Sequence, residues 1–209
     1  MFTACTENTS DDNAGIQSIN PLGTPPANAV YYTTLNDQAI ELGDNFDAEI
    51  VSNTYENGQG TIIFDNNITA IGYKAFIRCY NLTNVALPND VTTIGICAFR
   101  DCFSLRSINI PESITSIGDY AFCNCDGLKK ITIPEKVTSI GIGAFSDCNR
   151  LTSIYCKAQT PPATVTGNIF TYWSRVTLYI PTGCKSAYAA ADYWKNAKEI
   201  IETDFSELN

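Results

Sequence analysis

One phrase of sequence occurs four times in this chain, as IGYKAFIRCYNLTNVALP (71–88), IGICAFRDCFSLRSINIP (94–111), IGDYAFCNCDGLKKITIP (117–134) and IGIGAFSDCNRLTSIYCK (140–157). Four residue types keep one position in each copy, with a period of 23 residues. Several columns held in one register at such a period predict a solenoid, in which each repeat forms one coil. The columns are Gly72, Gly95, Gly118 and Gly141; Phe76, Phe99, Phe122 and Phe145; Cys79, Cys102, Cys125 and Cys148; and Leu82, Leu105, Leu128 and Leu151.

Each repeat combines an alternating strand, a glycine corner and a compact apolar turn. Ile108 and Ile110 alternate with polar residues, which is typical of a half-buried strand, and Pro111 ends that strand. The glycine permits either a positive φ or a close backbone approach. In residues 119–125 the apolar side chains follow the i, i+3, i+4 rule and predict a short helical turn. The predicted fold class is a leucine-rich-repeat solenoid of 23-residue repeats, with a parallel β-strand ribbon and short helical turns.

The segments that flank the repeats differ from them in composition. Residues 1–28 are polar, acidic and interrupted by prolines, and we interpret them as a flexible acidic tether. Residues 29–60 alternate short apolar runs with turn formers, which predicts an N-terminal β cap. Residues 61–181 are assigned to the solenoid, which starts with a half repeat at Thr61 and ends in a degenerate coil. Residues 182–209 are alanine-rich with interspersed aromatics, which predicts a C-terminal helical cap and tail.

Charge is distributed unevenly along the chain, whose net charge is −9. Before Lys74 there are ten acidic residues and no Lys or Arg, whereas the remainder carries twelve acids and thirteen bases. The first part would repel a phosphate backbone and the second would not attract one, so nucleic acid is not expected as a partner. No apolar run approaches the roughly 20 residues of a membrane-spanning helix.

The residue types present argue against catalysis. The sequence has no histidine, which removes the usual general base and the commonest zinc ligand. Neither a nucleophile elbow (G-x-S-x-G) nor a phosphate loop is present. Four of the nine cysteines belong to the repeat column, and we interpret these as buried apolar thiols rather than as disulfides or zinc ligands. We therefore expect a noncatalytic protein with no catalytic residues, no metal and no cofactor.

The repeat unit I-x-I-P-x-x-(V/I)-T-x-I-G-x-x-A-F-x-x-C-x-x-L resembles that of the BspA-like surface-antigen leucine-rich-repeat family of anaerobic oral and gut bacteria. Residues 50–60, 178–188 and 194–202 are similar to the segments that precede and follow the repeats in such proteins. The resemblance implies a lipid-anchored or secreted protein that adheres to host matrix proteins or to other bacteria. Because one scaffold serves many ligands, the family does not name the ligand.

A second resemblance concerns the residues before and including Cys5. The sequence Phe-Thr-Ala-Cys at 2–5 is similar to the end of a bacterial lipoprotein signal, where small residues precede the cysteine that receives the lipid. It implies lipidation of Cys5; the alternative is a cysteine at a frayed end without a role. The expected location is the bacterial cell surface, as an outer-membrane lipoprotein or a secreted protein. Membrane contact is expected only through a lipid anchor at Cys5.

The outward side chains of the strand ribbon are the candidate ligand-binding site, because a solenoid offers a long surface without a preformed pocket. Lys130 and Tyr155 are the strongest candidates, since an exposed cation and an exposed aromatic contribute most at interfaces. The alternative for every one of these residues is the solvated side of a sheet. One outward column contains Asn84, Ser107, Lys130 and Ser153, and a second contains Ala86, Asn109, Thr132, Tyr155 and Tyr179.

Two kinds of partner fit this surface. The first prediction is protein–protein interaction with a host matrix protein or a bacterial surface protein. The second is a glycan-binding surface lipoprotein, in which aromatics near the C-terminal end stack on sugar rings. The competing interpretation of these aromatics is that they fill the core of the cap. They are Tyr172, Trp173, Tyr188, Tyr193 and Trp194.

Overall fold

The computed structural model describes residues 22–43, 45–164 and 167–208. Three antiparallel strands come first: β1 (Ala29–Thr34), β2 (Ile50–Glu56) and β3 (Gln59–Phe64). The repeats then alternate strands of two parallel ladders: β4 (Ala70–Ile71), β5 (Leu82–Ala86), β6 (Thr93–Ile94), β7 (Ser107–Asn109), β8 (Ser116–Ile117), β9 (Lys130–Ile133), β10 (Ser139–Ile140), β11 (Ser153–Cys156), β12 (Ala163–Thr164) and β13 (Thr177–Pro181). A helix and a strand follow, α1 (Lys185–Ala190) and β14 (Glu199–Thr203).

Strands at equivalent repeat positions pair in parallel and in register. The strands β4, β6, β8, β10 and β12 form one sheet, in which Ile94 lies beside Ile117. In the outer ribbon β5 pairs with β7, and β9, β11, β13 and β14 form a further ladder. The predicted solenoid with a parallel ribbon is confirmed, but ladder pairing is interrupted between β7 and β9. At the interruption the coils approach closely, since a Cβ on Gly127 would lie 2.4 Å from the Leu105 carbonyl oxygen.

Consecutive turns replace the short helical turn predicted after each glycine corner. No helix forms between residues 61 and 164, a range that the structure describes completely. Tyr120 and Asn124 take positive φ values of 55° and 62°, which a right-handed helix does not allow. Alternate N–H groups bond to the next coil, as Phe122 does to the Ala144 carbonyl at 2.7 Å. The prediction of a helical turn was wrong because alternate N–H groups of this segment bond to the neighbouring coil and not within the segment.

The corner glycines are required by close backbone approach. Gly118 does not have a positive φ. A Cβ at Gly118 would lie 2.7 Å from the carbonyl carbon of Gly95 and from the nitrogen of Ile96. Real Cβ atoms do not approach backbone this closely, so a larger residue would push two coils apart.

A ladder of parallel phenylalanine rings forms the centre of the solenoid. Neighbouring ring centroids are 4.8, 5.3, 5.3 and 4.9 Å apart, with interplanar angles between 1° and 8°. All five rings are buried, so the Phe column of the repeats faces inward and extends into the degenerate coil. The ladder consists of Phe76, Phe99, Phe122, Phe145 and Phe170.

The column cysteines are buried thiols that link each coil to the one before it. The Cys125 thiol donates to the Phe99 carbonyl oxygen at 3.2 Å, and Cys102 and Cys148 make the equivalent bonds. All eight cysteines among the described residues are unbridged. Burial raises the pKa of Cys102 and Cys125 well above the ordinary value of 9.0, and raises that of Cys148 to about 12. These thiols therefore stay protonated and weakly nucleophilic in the folded protein.

The N-terminal strands enter the ribbon in an order that the sequence did not predict. β1 lies between β3 and β5 and is antiparallel to both. The half repeat at Thr61 therefore does not stack on the strand of the next repeat, although Ile71 of the same unit pairs with Ile94. Phe46 meets the first ladder ring, Phe76, edge-on at 89° and a centroid distance of 5.6 Å.

The predicted tether meets the folded body at its last residues. The carbonyl oxygens of Ala27 and Asn28 accept hydrogen bonds from the N–H groups of Ile68 and Phe64, both at about 3 Å. Residues 22–28 therefore end against the first coil. The remainder of the predicted tether, including Cys5, lies outside the described residues.

The C-terminal end contains less helix than predicted. Besides α1 it has two short 3-10 helices, Trp194–Asn196 and Phe205–Leu208. Glu199–Thr203 is a strand instead, because Ile200 and Ile201 continue the ladder beside β13. Trp173 closes the phenylalanine ladder edge-on against Phe170, with ring centroids 4.6 Å apart.

Phe122→Ala should destabilise the protein by about 3–5 kcal/mol, because it leaves a cavity between two ladder rings. The matched control is Phe103→Ala, whose ring is 45% exposed and whose loss should cost about 1 kcal/mol or less. Urea unfolding of both variants and the wild type measures the two free energies. If both substitutions lowered the free energy of unfolding equally, the ladder would not be the main contact of the core.

Stability should fall as the pH rises above the ordinary thiol pKa of 9.0. In the unfolded chain the thiol of Cys148 ionises near that value, whereas in the folded protein it ionises at about 12. Between these values the unfolded state binds fewer protons, so the free energy of unfolding decreases with pH. The stabilisation that the protonated Cys148 thiol contributes is complete below pH 9.0 and is lost as the pH rises towards about 12. The loss is about 1.4 kcal/mol per pH unit for one thiol.

Urea unfolding under reducing conditions at about pH 8 and about pH 10.5 tests this dependence. Cys148→Ala is the comparison, and its loss of stability between the two pH values should be smaller by about 2 kcal/mol. An identical pH dependence in the wild type and the variant would show that this thiol does not titrate differently on unfolding.

Candidate functional site

Both predicted columns are present on the ribbon, and the strand register shows which of their residues lie side by side. Asn84 lies beside Ser107, and Lys130 lies beside Ser153. In the second column, Asn109 lies beside Ala86, and Thr132, Tyr155 and Tyr179 follow one another. The interruption between β7 and β9 divides both columns into an N-terminal and a C-terminal half. Lys130 is exposed, whereas the other members are half-buried or, for Ala86, buried.

In the N-terminal half, the polar side chains of the ribbon bond to one another. The Asn84 amide donates from Nδ2 to Thr33 Oγ1 at 2.7 Å, and Ser107 Oγ donates to Asn84 Oδ1 at 2.7 Å. Thr33 Oγ1 is also 2.6 Å from Thr83 Oγ1. The Asn84 amide and the Ser107 hydroxyl hydrogen are therefore engaged within the ribbon, which makes both residues poorer ligand-binding candidates than their outward position predicts.

In the C-terminal half, Tyr155 and Tyr179 stack on each other. Their ring centroids are 4.5 Å apart and their planes are 13° apart. Burial, followed by the adjacent Tyr179, raises the pKa of Tyr155. The Tyr155 hydroxyl therefore remains protonated at neutral pH and is available as a neutral donor and acceptor.

A groove of about 1090 Å³ brings together four of the five predicted residues of this half, and Thr132 is not in its lining. Its lining includes Lys130, Ser153, Tyr155 and Tyr179 from the predicted columns. The structure adds residues from the turns before the strands, which the prediction did not include. The charged residues among them are Arg106, Asp126, Lys129 and Arg150.

The signal for two of the missed cations was present in the sequence. Arg106 and Lys129 occupy the same position in successive repeats, immediately before the outward column of Ser107 and Lys130. The alternating pattern predicts outward positions for strand residues alone, whereas Arg106 lies just before β7. An exposed position in the turn contributes to the same surface because the turn and the strand meet at one edge of the coil.

The aromatic cluster proposed for sugar stacking lies mainly in the core. Trp173, Tyr188 and Trp194 are buried, with Trp173 and Trp194 meeting edge-on at 5.8 Å. The Tyr188 hydroxyl donates to the Ala158 carbonyl at 2.8 Å. Tyr172 is 41% exposed. Three of the five aromatics therefore fill the end of the solenoid, as the competing interpretation held.

Within the described ranges, no three Cys, Asp or Glu side chains lie close enough to hold a metal ion. No helix in that part of the chain has the length and hydropathy to cross a membrane.

The parallel coils, the phenylalanine ladder and the open outer ribbon define a protein of the leucine-rich-repeat solenoid class. The chain belongs to the BspA type leucine-rich repeat family, whose model matches residues 48–191 in six copies. The family predicted from the repeat unit is thus confirmed.

Solved structures include several leucine-rich repeat proteins of bacteria. One from T. pallidum has a TM-score of 0.53 and 24% sequence identity over 66% of this chain and 65% of that protein. A leucine rich cell surface protein of Faecalibacterium prausnitzii is 28% identical over 68% of this chain and 31% of its own, with a TM-score of 0.45. A leucine-rich repeat protein of Bacteroides capillosus is 38% identical over 49% of this chain and 70% of its own, with a TM-score of 0.41.

The first of these likenesses supports the fold. The chain spans less than two thirds of the T. pallidum protein and less than one third of the F. prausnitzii protein. No curated protein matches the chain in sequence.

Proposed function

We propose that this chain is a noncatalytic binding protein of the bacterial cell surface, which uses its outer ribbon for protein–protein interaction. Membership of the BspA type family supports a binding role for the repeats. The observation that carries the proposal is the groove of the C-terminal half, where Lys130, Ser153, Tyr155 and Tyr179 meet on one open surface. A host matrix protein or another bacterial surface protein is the proposed partner.

The two strongest candidates lie on adjacent strands of this surface. Lys130 is on β9 and Tyr155 is on β11, whose residues pair in register. A cation and an aromatic on adjacent strands of one surface are the residue types that dominate interface energetics. Asn109 and Thr132 belong to the same outward column, with Thr132 beside Tyr155 and Asn109 beside Ala86.

Binding to an array of matrix proteins and bacterial surface proteins tests the proposal. The double variant Lys130→Ala with Tyr155→Ala should weaken binding roughly tenfold or more, because each anchor removed costs more than about 1 kcal/mol. The matched control is Lys136→Ala with Tyr73→Ala, which removes the same residue types from exposed positions outside the ribbon. Equal binding by both double variants and the wild type would place the binding site elsewhere.

A glycan is the second candidate partner, and the burial of Trp173, Tyr188 and Trp194 weakens its main support. The exposed ring of Tyr172 still provides one aromatic surface, with Arg175 4.9 Å from its centroid. A glycan array run beside the protein array separates the two partners. Binding to sugars without binding to any protein would make a glycan the first candidate partner.

Lipidation of Cys5 is the proposed means of surface attachment, on the basis of the Phe-Thr-Ala-Cys sequence at 2–5. Labelling with an alkyne-modified fatty acid in the native bacterium should tag the wild-type protein. Cys5→Ser should abolish the tag, while Cys184→Ser, at a buried cysteine of the last coil, should leave it unchanged. A labelled Cys5→Ser variant would contradict lipidation at this residue.

A further inference from the structure

The groove on the C-terminal half of the ribbon is lined by cations from three successive coils. Arg106 belongs to one coil, Lys129 and Lys130 to the next, and Arg150 to the third. Asp126 is the acidic residue of the lining. In a protein with a net charge of −9, this surface therefore carries an opposite local charge.

The groove cations have no acidic partner within the described part of the chain. The ion pairs formed there use Arg78, Arg100, Lys157 and Lys195. Asp126 is itself held by Asn149, whose backbone N–H and Nδ2 donate to Asp126 Oδ1 at 3.0 and 2.9 Å. The positive charge of the groove is thus largely uncompensated and free to attract an anion.

The stacked tyrosines favour the same kind of ligand. Tyr155 and Tyr179 cover one face of each other, and the ladder register places Thr132 and Ile201 beside their outer faces. Sugars stack on the faces of aromatic rings, and the faces of these two rings lie between coils, so they are not open to a sugar. The edges of an aromatic ring carry partial positive charge, so rings presented edge-on favour carboxylates.

We propose that this groove binds an extended acidic segment of the partner protein, an inference that deepens and rests on the proposed surface-binding function. Coils in a parallel ladder lie about 4.8 Å apart, so the distance from Arg106 to Tyr179 across three spacings is about 14 Å. An extended chain covers this distance with about four residues. Carboxylates at such spacing reach Arg106, Lys129, Lys130 and Arg150, while the tyrosine edges and hydroxyls contact the segment's end.

Fluorescence anisotropy with a labelled oligoglutamate peptide tests the charge recognition, with a glycine–serine peptide of equal length as the neutral probe. The wild type should bind the first peptide and not the second, and added salt should weaken binding. Lys130→Glu with Arg150→Glu should lower the affinity roughly tenfold or more, because two attractive contacts become repulsive.

The control for net charge is Lys185→Glu with Lys198→Glu, at exposed positions of the C-terminal end. It changes the net charge by the same amount and should leave affinity for oligoglutamate within about twofold, since screening limits long-range effects. Circular dichroism melting curves establish that both double variants fold.

Three results would overturn the inference. Equal losses in the two double variants would show a response to net charge rather than to the groove. Binding of polygalacturonate without binding of oligoglutamate would assign the groove to acidic glycans. The third result is a partner from the protein array that binds the Lys130→Glu with Arg150→Glu variant as well as it binds the wild type. This would show that the groove does not bind an acidic segment, while the proposed surface binding would still stand.

Discussion

Hydrogen bonding between the backbones of successive coils is the constraint on which this structure depends. The turn segments between residues 61 and 164 contain no helix, and alternate N–H groups in them bond to the next coil, as that of Phe99 does to the Ala121 carbonyl at 2.7 Å. Parallel pairing fixes the coil spacing at about 4.8 Å and places residues at equivalent positions of successive repeats above one another. The phenylalanine ladder and the thiol-to-carbonyl bonds follow from that spacing, because a side chain in one coil meets its equivalent in the next. Shifting one coil by a single residue would turn its inward side chains outward.

Periodicity alone was sufficient to predict the coil, the ladder ring and the final degenerate repeat. It could not predict the turns. Inward residues spaced three and four apart are produced by a helix, but also by two consecutive turns with left-handed residues at Tyr120 and Asn124. Residue type gives no warning at Tyr120, because tyrosine does not favour that conformation, whereas asparagine at position 124 is a type enriched in it. Pairing of β1 between β3 and β5 was equally hidden, because antiparallel pairing of segments outside the repeats leaves no period in the sequence.

The candidate site was predictable in its strand positions and not in its chemistry. Register brought Lys130 and Tyr155 to adjacent strands, as the repeat spacing required. Whether a polar side chain is open to a ligand depends on its neighbours, and Asn84 and Ser107 bond to each other. Arg150 joins the groove from a turn, where the sequence shows an exposed cation but not the direction in which the chain carries it.

The two ends of the aromatic ladder differ from its interior in a way that bears on how such a chain changes length. Interior rings have parallel neighbours on both faces, whereas Phe46 and Trp173 close the column edge-on. Duplication of an interior unit adds a ring that fits above and below without any new contact surface. Duplication of a terminal segment would place an edge-on ring within a parallel column. The number of interior repeats can therefore change without altering the ring contacts of the column, while each end segment is suited to a single place.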